Sequence, residues 1–127
     1  MADVNRGNRP LSPHLSIYRP QYTSVTSILT RLTGNGLVLS ALMIVWWLFA
    51  AASGPEYFAV ADAVLRSVIG QIILIGSLWA VWYHFLAGLR HLWWDSGRGF
   101  ELSQARMLAG IVVVGSVVLT VLTLIII

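Results

Sequence analysis

The chain has 127 residues, of which 57% are hydrophobic and only 10% charged, against about 25% charged in an ordinary soluble domain. That balance excludes a soluble globular domain and predicts an integral membrane protein. The net charge of +3 comes from eight basic residues, all arginine; they bracket apolar stretches, so they read as topology signals rather than as a nucleic-acid surface, and the lack of cysteine excludes disulfides and thiolate metal sites.

The whole chain, 1–127, reads as one membrane-anchor domain. Residues 1–25 are expected to form an arm. Pro10, Pro13 and Pro20 each lack an N–H and restrict the residue before them, which argues against a long helix. The arm has no apolar core and is not a secretory signal. Leu11, Leu15, Ile17, Tyr18 and Tyr22 are set among its arginines, so it either lies on a partner protein or lipid headgroups or stays a disordered tail. His14 reads as solvated or on a partner surface.

A first membrane helix is predicted over 26–52, since about 20 residues suffice to cross a hydrocarbon core of about 30 Å. Its first turns are unusually polar: Thr26, Ser27, Thr30, Arg31, Thr33 and Asn35, with Ser27, Arg31 and Gly34 on one face. Trp46 and Trp47 mark its far end as an interfacial aromatic belt. Ser-Gly-Pro then opens a connector over 53–67. Within it Phe58, Ala61 and Leu65 recur at helical spacing, which predicts a short amphipathic helix on the membrane surface. A second membrane helix is predicted over 68–94, anchored by Trp93 and Trp94, then a glycine-containing turn over 95–104 and a third helix over 105–127. Gly110 and Gly115 offer places for close helix approach.

Arginine counts set the expected orientation. Arg6, Arg9, Arg19 and Arg31 lie in or near the arm, and Arg90, Arg98 and Arg106 flank the second turn, whereas the connector has Arg66 alone, set against Glu56 and Asp62. The N-terminus and second turn are therefore expected in the cytoplasm. The polar start of the first helix and the end of the second would then share one interface and could meet.

The chemistry concentrates in Tyr83–Asp95, where His84, Gly88, His91 and Asp95 fall at i, i+4, i+7 and i+11 on one helix stripe. His84 lies about 10 Å deeper than His91, near the bilayer midplane. An ionisable side chain at that depth is costly and is a functional candidate by default. A neutral imidazole there could ligate haem iron, with Gly88 admitting a flat macrocycle and Arg90 or His91 near the surface facing its propionates; a helix–helix hydrogen bond is the other account of it. If iron took two histidines, the second would come from another polypeptide. Ser27 and Arg31 could hold a quinone carbonyl and stabilise charge on it, though an arginine one turn into a membrane helix also commonly snorkels to headgroups. Asp95 reads as an interfacial ion pair with Arg90 or Arg98. Trp79, Trp82 and Tyr83 read as aromatic packing.

Three segments in this order resemble the cytochrome b (large membrane anchor) subunit family of succinate dehydrogenase: RPLSPHLSIYRPQ (9–21), SILTRLTG (27–34) and HFLAGLRHLWWD (84–95). The third, H-x-x-x-G-x-R-H-x-x-x-D, is the most specific, and the likeness covers nearly the whole chain. It implies an all-α integral membrane protein with three transmembrane helices and a cytoplasmic N-terminal arm. It further implies that His84 is the axial ligand of a haem b shared with a small anchor subunit that supplies the second ligand. Ser27 and Arg31 would belong to the quinone site, for ubiquinone or another quinone, with Arg31 also near the haem propionates. Many members carry a histidine just before that arginine. This chain has Thr30, so no propionate contact or proton delivery by that residue is implied here.

The implied assembly is respiratory complex II, in which a flavoprotein oxidises succinate and an iron–sulfur subunit passes electrons to quinone. This subunit would have no activity and no catalytic residue of its own, and its partners would be those subunits and membrane lipid, with no nucleic acid. The lack of a transit peptide favours a bacterial inner membrane. An anchor of a quinol:fumarate reductase, or a cofactor-free structural anchor, are the alternatives.

Overall fold

A computed structural model describes residues 17–127 of the chain. Four helices follow one another: α1 (Tyr22–Ser53), α2 (Pro55–Arg66), α3 (Val68–Asp95) and α4 (Leu102–Ile126). Three of them, α1, α3 and α4, are long and apolar enough to cross a membrane. The protein is an all-α, multi-pass membrane protein. Of the expected arm, residues 1–16, including His14, lie outside the described residues.

The first helix starts earlier than its hydropathy suggests, at Tyr22 rather than residue 26. Pro20 keeps the chain extended up to Gln21. The Ser24 hydroxyl then organises the helix entrance: it accepts from the Gln21 N–H at 3.1 Å and from the Tyr18 hydroxyl at 3.0 Å, and donates to the Gln21 carbonyl at 2.8 Å. Polar residues here serve the helix start, so polarity alone was a poor guide to where it begins.

At the other end of α1, Gly54 breaks the helix with φ +137°, a backbone region that disfavours side chains, and Pro55 begins α2. Trp46 and Trp47 then tie α2 back onto α1. Trp46 donates to the Tyr57 hydroxyl at 2.9 Å, and Trp47 packs on Phe58 with ring centroids 5.4 Å apart. The tryptophans expected to mark an interface thus act as a clamp between helices. From α2 to α3 the chain turns sharply: a Cβ at Gly70 would run into the Val64 and Leu65 carbonyls.

In the bundle, α3 packs against both α1 and α4. The contacts are made by small residues and hydroxyls, as expected where lipid is as apolar as any core and close packing decides association. Ala80, Ala87, Ala109 and Ser116 are all buried. Trp79 donates to Ser116 at 3.1 Å and Trp82 to Thr123 at 3.0 Å, binding α3 to α4. Gly115 receives Leu86 of α3 closely, as the glycines of the third span suggested, and Gly110 faces Tyr22.

Candidate functional site

The polar start of α1 and the His84–Arg90 segment of α3 meet. The two helices run antiparallel, and their polar contacts recur about every two turns. Thr26 meets Arg90, Thr33 meets His84, and Ser40 meets Ser77 with hydroxyls 2.7 Å apart. Tyr83, fully buried, donates its hydroxyl to the Thr26 carbonyl at 2.9 Å. Arg90 is only 4% exposed; its Nη1 donates to the Thr26 hydroxyl at 3.3 Å and its guanidinium lies 4.9 Å from the Trp94 ring centroid. Its Nε is buried without a partner among the described residues.

His84 sits at the centre of this seam. Its Nδ1 is 3.1 Å from the Thr30 carbonyl oxygen and 3.3 Å from the Thr33 hydroxyl oxygen. A carbonyl oxygen can only accept, so Nδ1 carries the proton and donates. Thr33 sends its own proton to the Leu29 and Thr30 carbonyls, at 2.8 and 3.0 Å, and can accept from the imidazole. In the neutral ring the lone pair is then on Nε2, which makes no hydrogen bond among the described residues. Orientation of one nitrogen by a carbonyl, with the other left free, is how metal-ligating histidines are commonly held. Gly34 makes room for it: a Cβ there would lie 3.0 Å from the ring's Cε1.

Ser27 and Arg31 lie on the same α1 stripe as Gly34, two turns and one turn toward the helix start. Ser27 is half-buried and Arg31 exposed, and neither side chain makes a hydrogen bond among the described residues. Gly88, one turn beyond His84, faces open space: nothing lies within 4 Å of where its Cβ would be. His91 is exposed and edge-on to Trp94, with ring centroids 5.2 Å apart. Gly34 thus meets His84 directly, with Ser27 and Arg31 on its stripe of α1 and Gly88 on the imidazole's stripe of α3.

One expectation needs correction, and the packing face of α3 was not foreseen. The buried stripe of α3 is Ala80–Tyr83–Ala87–Arg90, one residue out of phase with His84–Gly88–His91–Asp95, which is half-buried to exposed. The ion pair of Asp95 with Arg90 or Arg98 is not formed: among the described residues the one ion pair is Arg66–Asp62, at 2.6 Å. Both arginines stack on indoles instead, Arg90 on Trp94 and Arg98 on Trp93 at 5.5 Å. Tyr83, Thr26 and Thr33 were not singled out as site residues from the sequence. The signal that would have found them is the seven-residue recurrence of Thr26, Thr33 and Ser40, opposite alanines at positions 80 and 87.

Residues 5–123 match the model of the family described as succinate dehydrogenase/fumarate reductase transmembrane subunit. The chain belongs to this family. The succinate dehydrogenase cytochrome b556 subunit of Paracoccus denitrificans is 59% identical over 126 residues, covering 99% of this chain and 97% of the relative. The protein of the same name from Rickettsia conorii is 43% identical, covering 90% of this chain and 89% of that one. The succinate dehydrogenase cytochrome b560 subunit of Reclinomonas americana is 35% identical over 85% of this chain and 78% of its own length. Family membership accords with the resemblance drawn from the three sequence segments, and the three candidate spans fit a transmembrane subunit of that family.

Proposed function

We propose that this chain is the cytochrome b anchor of a succinate:quinone oxidoreductase. In this reading it binds a haem b together with a small anchor subunit and contributes to the site where quinone is reduced. The observation that carries the reading is the hydrogen bond from His84 Nδ1 to the Thr30 carbonyl, which leaves Nε2 free as a donor to iron. The residues fit the group. His84 would be the axial ligand, the open space at Gly88 would take the macrocycle, and Arg31 and His91, both exposed, are free to face the propionates. Arg90 is the weaker candidate, because its guanidinium is engaged with Thr26 and Trp94. When bound, haem b supplies a site that takes up and releases one electron.

The second imidazole would come from the small anchor, since no other histidine among the described residues lies at the depth of His84. Quinone reduction would use Ser27 and Arg31. The hydroxyl of Ser27 donates to a quinone carbonyl, and the fixed cation of Arg31 stabilises the negative charge that develops on its oxygen. Both lie one to two helical turns from Gly34, against which the His84 ring rests, so the quinone would sit beside the haem. Electrons would arrive from an iron–sulfur subunit docked at this end, itself served by a succinate-oxidising flavoprotein. The arginine asymmetry supports an N-terminus in the cytoplasm of a bacterial inner membrane, and residues 1–25 would reach toward the iron–sulfur subunit.

The test is purification of the membrane complex in mild detergent with His84 intact and as His84→Ala. The expected result is a b-type pyridine haemochrome spectrum for the wild type, companion subunits present in both preparations, and loss of the pigment in the variant. A wild-type complex with all its companions and no b haem would overturn the reading.

A further inference from the structure

On another side of α3, the cleft it forms with α4 holds two cavities that share Trp93 and Leu108 and so make one groove. The part at the helix ends has a volume of about 510 Å³ and is bordered by Arg98, Gly99 and Gln104. The deeper part, about 220 Å³ and mostly apolar, runs between Leu89 of α3 and Ile111 of α4, with the buried Arg90 also on its wall. Leu86 and Leu89, on its wall, follow His84 by two and five residues, about 200° and 140° around the helix. The groove therefore opens on another side of α3 from the imidazole.

Its mouth is rigid and cationic. Trp94 donates to the Gly99 carbonyl at 3.2 Å, fixing the turn. Gly99 has φ +80°, and a Cβ there would strike the Trp93 ring at 2.9 Å, so the turn folds flat onto that indole. The Arg98 guanidinium rests 5.5 Å from the Trp93 centroid, held at the opening. None of the lining residues is acidic, and Arg98 pairs with no carboxylate among the described residues. A cation at the level where membrane helices end, above an apolar channel at hydrocarbon depth, matches the two ends of a lipid.

We infer that the α3–α4 groove is a binding site for an anionic phospholipid, with its phosphate on Arg98 and Gln104 and an acyl chain lying along Leu89 and Ile111. Guanidinium–phosphate contacts are charge-assisted and favour an anionic headgroup over a zwitterionic one.

The experiment extracts the membrane complex from cells, exchanges it into nanodiscs of equal parts phosphatidylglycerol and phosphatidylcholine, washes it in mild detergent and quantifies the retained lipid by mass spectrometry. Wild type is expected to retain phosphatidylglycerol over phosphatidylcholine. Arg98→Gln should retain about tenfold less, the loss of one charge-assisted contact, and Arg98→Lys should keep part of the preference. Ile111→Trp, which fills the groove at an exposed position, should lose the lipid with Arg98 intact. Subunit composition by gel filtration checks that each variant is assembled. Wild type that retains both lipids equally, or none, would overturn the inference, as would full retention by either Arg98→Gln or Ile111→Trp.

Discussion

Gly34→Ala separates the positioning of His84 from the stability of the fold. The added Cβ would lie 3.0 Å from the imidazole Cε1 and 3.5 Å from Nδ1, whereas carbon atoms rest about 3.5–4.0 Å apart. The ring must retreat by about half an ångström or more, and its 3.1 Å bond to the Thr30 carbonyl then approaches or passes about 3.5 Å, where little of a hydrogen bond remains. Losing that bond costs about 0.5–1.5 kcal/mol. Alanine is favoured over glycine inside a helix by about 0.8–1.0 kcal/mol. The two nearly cancel, so thermal stability of the complex should change little. Haem affinity should not be spared, because removing the partner that orients a ligating histidine typically weakens metal binding about 10–100-fold. The assay is the haem-to-protein ratio by pyridine haemochrome, with the midpoint potential of what remains, set beside the thermal transition of the assembled complex. Full haem content at the wild-type potential would refute the reasoning, and so would a collapse of the whole complex.

Gly88→Ala tests the other side of the same ring: the chain itself has space for the methyl group, so assembly should be normal while haem content drops, and an undiminished haem spectrum would mean the macrocycle does not lie there. Arg31→Ala should slow quinone reduction strongly, as loss of a preorganised charge commonly does by about 10²–10³-fold, while succinate oxidation with an artificial acceptor stays intact; wild-type quinone turnover would remove Arg31 from the site. Tyr83→Phe deletes the buried hydroxyl that grips the Thr26 carbonyl. That carbonyl still accepts from the Thr30 hydroxyl at 2.9 Å, so the cost should stay within about 0.5–1.5 kcal/mol. The quinone KM should rise more than kcat falls, because Ser27 adjoins the loosened turn, and haem content should hold.

Much of the architecture was legible in the chain. Runs of apolar residues longer than a bilayer is thick, a Ser-Gly-Pro break and paired tryptophans are signals of length and chemistry that need no partner to interpret. The facing of the helices was not legible in the same way. In a soluble helix the buried side is the apolar side, but here both sides of α3 are apolar. Burial is decided by where Ala80 and Ala87 let α1 and α4 come close. The titratable stripe His84–Gly88–His91–Asp95 therefore says nothing of which face packs, and the buried position of Arg90 beside Tyr83 was not foreseen. The start of α1 was obscured for a related reason: Ser24 and Thr26 look like a surface segment until their hydroxyls are seen bonded to the Gln21 and Thr23 carbonyls. The Asp95 ion pair failed because indoles at the helix end offered its arginine partners another seat.

Of the 32 residues in α1, Thr26, Thr33 and Ala50 alone are buried among the described residues. Asn35, some 20 Å along the helix from Tyr22 at its ordinary rise, is exposed. An amide left facing hydrocarbon carries a penalty of about 1–3 kcal/mol. A copy made without companions would thus be marked as an orphan by its own first helix, and membrane proteases should clear it sooner than the assembled subunit. Pulse-chase of the chain expressed alone and with its companions would show the difference, and equal lifetimes would show that α1 tolerates solitude.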